Sequence, residues 1–237
     1  MKYRLDAYLT NKRLAPTRSQ AESMIRLGDV SVNGYIVTKA GHFVSEGDTV
    51  IVKDKTRYVS RAGLKLASVA QKLSLDFTGA TVLDVGSSTG GFTDYALQHG
   101  AKKVIAVDVG TDQLHPSLQG DARIELHEKT DIRDFSTDDR IDIVVIDVSF
   151  ISLQDILPDV ARIAPTAKVA AMVKPQFEAG RGQANKGVIK NDSIRRQILK
   201  DFETWAKQRF VILDKADSDV AGAKGNRERF YLLKALA

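Results

Sequence analysis

Leu83-Asp84-Val85-Gly86-Ser87-Ser88-Thr89-Gly90-Gly91-Phe92 is the stretch that decides the fold. An apolar strand-like run, Thr81 to Val85, enters a glycine-containing turn, and a helix is expected to begin near Phe92. Glycines there let the backbone come close to a ligand at the helix start. Two phosphate-binding patterns fail. The dinucleotide fingerprint needs glycines at 86, 88 and 91, and position 88 is serine; a P-loop needs a lysine where Phe92 stands. Outward from the turn, further strand-like runs lie at Lys103 to Val107, Arg123 to His127, Ile141 to Ile146 and Lys168 to Val173. Helices are expected to begin at Arg61 and near Leu114 and Leu153. A helix from Asp192 to Lys207 precedes strands at Phe210 to Leu213 and Arg229 to Leu233. This alternation predicts an α/β domain, a Rossmann-like, mostly parallel sheet of seven strands covered on both faces.

The acids that follow the strands suggest a ligand. Asp84, near the end of the first strand, suits a positively charged amino group. Asp108 ends the second strand, 24 residues later, where a carboxylate can accept both hydroxyls of a ribose. Asp131 follows the third strand and can accept from an adenine amino group. Three such acids with no phosphate site describe S-adenosylmethionine; NAD is the competitor, disfavoured by the missing second glycine. The expected cofactor contacts are therefore Asp84, Gly86, Ser87, Ser88, Gly90, Gly91, Phe92, Asp108 and Asp131. An aspartate at a strand end also serves simply to cap the next helix, and Asp112 is assigned that role.

Composition narrows the class. The 237 residues are 43% hydrophobic and 27% charged, which excludes a disordered or fibrous chain. No cysteine is present, so disulfides, thiolate metal sites and a cysteine nucleophile are excluded. The start of the chain lacks a signal-peptide core, and its longest apolar runs are too short to span a bilayer; a soluble, cytoplasmic protein is expected. Residues 1 to 60 hold ten Lys/Arg against six Asp/Glu, and the remainder holds 25 against 24. The net charge of +5 is thus concentrated in a small N-terminal module, which suits polyanion binding as well as it suits a plain solvated surface.

That module carries a capping-box pattern at Ser19 and Glu22, a helix stop at Gly28, and the hairpin signal Asn33-Gly34. The run Arg4-Leu5-Asp6, Thr17-Arg18-Ser19, Ala21, Ile25, Gly28-Asp29-Val30, Val32-Asn33-Gly34 and Gly47-Asp48 resembles an S4 domain. The likeness implies binding of structured RNA, with Arg4, Arg13, Arg18 and Arg26 as candidate contacts. Residues 1–57 are expected to form this domain and 58–237 the α/β domain.

Four positions in the larger part complete a reaction site: Lys65, Asp147, Lys174 and Glu228. They resemble the Lys-Asp-Lys-Glu tetrad of the FtsJ-related ribose 2′-O-methyltransferases. Tyr58 to Leu66, Gly86 to Thr93, Asp147 to Leu153 and Lys174 to Glu178 are similar to the haemolysin A (TlyA) family, which joins an S4 domain to that catalytic domain. The resemblance implies methylation of a ribose 2′-hydroxyl, of cytidine, in ribosomal RNA or ribosomal subunits. The chemistry also follows from the residues. A 2′-hydroxyl is a poor nucleophile whose proton must leave as the methyl arrives. A lysine serves as the base when a neighbouring cation disfavours its charge, and Lys174 is assigned that role, with Lys65 and the sulfonium as the cations. Asp147 and Glu228 would hold the lysines.

No metal is signalled: His42, His99, His115 and His127 are scattered. Pro175 to Asn191, glycine-containing and polar, reads as a long loop and a candidate lid. The alternatives are a non-catalytic ribosome assembly factor and a cytolysin. An S4-bearing pseudouridine synthase needs a β domain that this chain lacks.

Overall fold

The computed structural model describes residues 2–15, 17–26, 28–52, 58–179, 188–189, 191–222 and 225–236. The chain divides into two compact units, Met1–Arg57 and Tyr58–Ala237.

In the first unit, β1 (Lys2–Arg4) runs directly into α1 (Leu5–Asn11), and α2 (Arg18–Arg26) follows. Then come β2 (Val30–Val32), β3 (Tyr35–Ile36), β4 (Phe43–Ser45) and β5 (Val50–Val52). Asn33 and Gly34 both have positive φ, 53° and 82°, as a two-residue turn between antiparallel β2 and β3 requires. β5 pairs with the other edge of β2, and β1 pairs with β4. Leu5, Leu9, Ala21, Ile25, Val30 and Val44 form the core. Asp6 is fully buried beside it. Hydrogen bonds, first from Arg4 and then from Ala7 N–H and Arg18, hold its carboxyl down at about 2.

The second unit is a three-layer sandwich. Its elements are α3 (Arg61–Ala70), β6 (Thr81–Val85), α4 (Gly91–Gln98), β7 (Lys103–Val107), β8 (Ile124–His127), β9 (Ile143–Ile146), α5 (Leu157–Ile163), β10 (Lys168–Val173), α6 (Pro175–Glu178), α7 (Asp192–Ala206), β11 (Phe210–Asp217) and β12 (Arg229–Ala235). The sheet order is β11-β12-β10-β9-β6-β7-β8, with β12 antiparallel to both its neighbours. Every residue of β6 and β9 is buried, which explains their unbroken apolar character. Alternate side chains enter opposite cores. Leu83, Val85, Val144 and Ile146 pack toward α5 and α7, while Val82, Ile143 and Val145 pack toward α3 and α4.

Two expectations are corrected. No helix begins near Leu114: turns run through this stretch, Asp112 has φ 53°, and Pro116 bars the helical conformation at His115. Asp112 therefore caps no helix. Part of the expected loop at Pro175 to Asn191 is the short helix α6, started by Pro175 in the first turn; residues 180–187 and 190, where the expected lid lies, are outside the described residues.

Gly63 on α3 and Gly91 on α4 bring those helices together. A Cβ on Gly91 would sit 2.2 Å from Ser60 Oγ and 2.9 Å from Gly63 N. Gly91→Ala is expected to cost about 1–3 kcal/mol through overpacking. Thermal unfolding of the variant checks this, and an unchanged melting temperature would contradict the packing described.

Candidate active site

Strand order reverses between β6 and β9, the place where an open α/β sheet leaves a crevice beyond its strand ends. The turn after β6 closes tightly against the turn after β9. Gly86 has φ 80°, and a Cβ there would lie 2.9 Å from the Asp147 carbonyl oxygen, so only glycine fits.

Two cavities share this edge. The larger, about 360 Å³, is lined by Asp108, Val109, Asp131, Ile132 and Phe150 among others. The smaller, about 160 Å³, is lined by Ala62, Asp84, Ser87, Phe92 and Lys174 among others. Gly86, Ser88, Asp147 and Ser149 line both.

Asp84 faces the smaller cavity almost fully buried. Its Oδ2 accepts from Thr93 Oγ at 2.6 Å, and its Oδ1 has no hydrogen-bond partner among the described residues. Burial, and secondarily the nearby charges of Asp147 and Asp108, push its carboxyl up to about 7. Ser87 Oγ beside it is also buried without a partner. Asp108 is held by backbone: Ser88 N–H donates to Oδ2 at 2.8 Å and Gly110 N–H to Oδ1 at 2.7 Å. Each oxygen keeps a second lone pair for a ligand hydroxyl. Asp131 lines the larger cavity, but Arg133 engages both its oxygens, at 2.6 and 2.9 Å, and holds its carboxyl low. An adenine amino group would have to share it. Gly90 and Gly91 line neither cavity; they admit Leu118 and α3 respectively.

The four residues expected at the reaction site form two ion pairs, each with a buried lysine. Lys174 Nζ contacts Asp147 Oδ1 and donates to Ser149 Oγ at 2.9 Å. Lys65 Nζ lies 2.6 Å from Glu228 Oε2. Both lysines are 8% exposed. Topology explains the gathering. Lys174 follows β10 directly, and Arg229 of antiparallel β12 pairs with Val173, which brings Glu228 to the same edge. Ala62, which lines the smaller cavity, precedes Lys65 on α3 by one turn.

Two contributors were not read from the sequence. Ser149 touches Lys174. Glu178, largely buried and with its carboxyl pushed up by that burial, accepts from Ser152 Oγ at 2.5 Å and Leu153 N–H at 2.7 Å. Both contacts join segments that are distant in sequence, and only the serine-phenylalanine and glutamate motifs hinted at them.

In the first unit, Arg4 and Arg18 neutralise Asp6, and Arg26 pairs with Glu22. Arg13 is exposed, with no ion pair among the described residues.

A seven-stranded sheet in this order, with acids and buried lysines at its switch point, defines an α/β methyltransferase. The chain belongs to the FtsJ-like methyltransferase family, which matches residues 58–235, and the S4 domain family matches residues 4–50. "Hemolysin A" of Brachyspira hyodysenteriae is 38% identical over 232 residues, covering 95% of this chain and 97% of that protein. The "16S/23S rRNA (cytidine-2′-O)-methyltransferase TlyA" of Mycobacterium tuberculosis is 36% identical, covering 98% and 89%. A solved Streptococcus thermophilus structure, also named as a hemolysin, is 38% identical with TM-score 0.77, covering 99% and 88%.

The residues fit S-adenosylmethionine. A partnerless buried carboxylate oxygen and a carboxylate with free lone pairs lie in two cavities that meet. If Asp84 holds the amino group, as expected, affinity for S-adenosylmethionine should rise with pH up to about 7 and fall again as the α-amino group loses its charge near about 8. Below about 7 it should fall by about tenfold per pH unit. Calorimetry across this range tests the expectation; Asp84→Asn should bind weakly with the lower limb of the pH dependence removed.

Proposed function

We propose that the chain transfers the methyl group of S-adenosylmethionine to the 2′-hydroxyl of a ribose, that of a cytidine in ribosomal RNA. The observation that carries this reading is the Lys174–Asp147 pair, buried where the two cavities meet. The full-length likeness to a protein named as a cytidine-2′-O-methyltransferase and the S4 domain support the substrate.

S-adenosylmethionine, when bound, supplies an activated methyl group on a positively charged sulfur. Asp84 would hold its amino group and Asp108 its ribose, with Asp131 near the adenine. Lys174 Nζ, in its neutral amine form, takes the proton of the 2′-hydroxyl as the oxygen attacks. Asp147 keeps that nitrogen in place. The Lys65–Glu228 pair fixes a second cation at the same edge, where it restrains a further positive charge. General-base catalysis of this kind is worth roughly 10²–10⁴-fold, and alignment of the attacking oxygen supplies more.

In the S4 domain, Arg13 is the best placed of the four candidate arginines, with Lys12 exposed beside it. Arg4 and Arg18 serve the fold first. Lys12→Ala with Arg13→Ala is expected to weaken rRNA binding and flatten its salt dependence by about two phosphate contacts. Affinity for S-adenosylmethionine should not change. Filter binding against salt checks this, and an unaltered slope would contradict it.

The central test is single-turnover methylation of ribosomal RNA at saturating substrates. Lys174→Ala is expected to abolish most turnover while leaving both affinities nearly unchanged, the pattern of a loss confined to the transition state. Lys174→Arg should fail as well, because a guanidinium stays protonated. Substantial activity in the arginine variant would make Lys174 a positioning cation and overturn its assignment as base.

A further inference from the structure

We propose that Ser149 is a positioning residue for Lys174, fixing the direction in which the lysine nitrogen meets its substrate; this rests on the reading of Lys174 as the base. The nitrogen has three directions besides its bond to Cε. Asp147 takes one and Ser149 Oγ, at 2.9 Å, takes another. The third is left for the cavity that Lys174 lines. Ser149 itself lines both cavities, so its hydroxyl stands where the halves of the site join.

The backbone segment that carries the serine is anchored. The segment after β9 is tied to α6 by Glu178, which accepts from Ser152 and Leu153. α6 starts at Pro175, immediately after Lys174, so donor and acceptor ride on two segments joined by a buried carboxyl group. The exposed Phe150 ring lies 5.1 Å from the Phe177 ring. Phe150 has φ 67°, a backbone conformation uncommon for this residue that turns the chain just after Ser149.

The charges facing Lys174 are Asp147 after β9 and Asp84 near the end of β6. The Lys65–Glu228 pair stands at the same edge from α3 and β12, and Glu178 belongs to the adjoining α6. Ser149 is the neutral member of this set. By accepting from the lysine nitrogen it restricts that nitrogen's rotation. Its removal should therefore slow the reaction by letting the nitrogen turn away from the cavity.

The experiment compares full-length wild type, Ser149→Ala, Ser149→Thr and Lys174→Ala. It measures single-turnover methylation of ribosomal subunits from cells lacking the chain, with calorimetric S-adenosylmethionine binding alongside. Ser149→Ala is expected to lose about 10- to 100-fold in rate, the worth of one hydrogen bond to a charged group. Its affinity for S-adenosylmethionine should be that of wild type, and Ser149→Thr should recover most of the rate. A wild-type rate, a failure of Ser149→Thr to recover, or a loss matched by lost cofactor affinity would overturn the proposal. Lys174→Ala separates the two readings. If it is inactive while Ser149→Ala is normal, only the positioning role falls. If it retains turnover, the base assignment falls, and the positioning role with it.

Discussion

Two lysine side chains lie buried at one edge of the sheet, and neither can stay there without its carboxylate. Removing one partner of a buried pair leaves an uncompensated charge, at a cost of several kcal/mol. Asp147 and Glu228 offset that cost, and the topology exists to deliver them. Parallel β9 brings Asp147 beside the end of β10, and antiparallel β12 returns Glu228 to the same level. An all-parallel arrangement would start that last strand at the opposite edge.

The rest of the site is built on the reversal of strand order beside this edge. It opens a crevice between the turns after β6 and β9, and Gly86 lets those turns touch. On one side the crevice exposes a buried carboxyl, Asp84, that lacks a partner for one oxygen. On the other it presents Asp108, whose oxygens are already oriented by backbone N–H groups. A group that carries both a positive amine and ribose hydroxyls satisfies both sides at once. The four side chains at the edge are paired in the absence of any ligand.

Much of this was legible in the sequence because it is local. Apolar runs such as Ile143-Val144-Val145-Ile146 can only be strands buried on both faces, and the Gly86 turn and the acids after each strand follow by spacing alone. Asn33-Gly34 announced its hairpin for the same reason. The failures are of two kinds, competing local signals and partners distant in sequence. An apolar pattern around Leu114 looked helical, yet Pro116 and the left-handed Asp112 broke it. Asp131 read as a free acceptor, but Arg133, two residues on, occupies it. Arg4 and Arg18 looked available for RNA, whereas a buried Asp6 claims them. Ser149 and Glu178 lay within motif segments, but their contacts were not legible because their partners lie 25 residues or more away. Charge pattern counts cations; only the fold says which are already paired.

The most direct measurement is a map of ribose 2′-O-methyl groups across ribosomal RNA from cells with the chain, without it, and with an Asp147→Asn variant in its place. The account predicts that at least one cytidine carries a ribose methyl only in the first. Identical ribose methylation in all three, or a loss confined to base methyl groups, would contradict it.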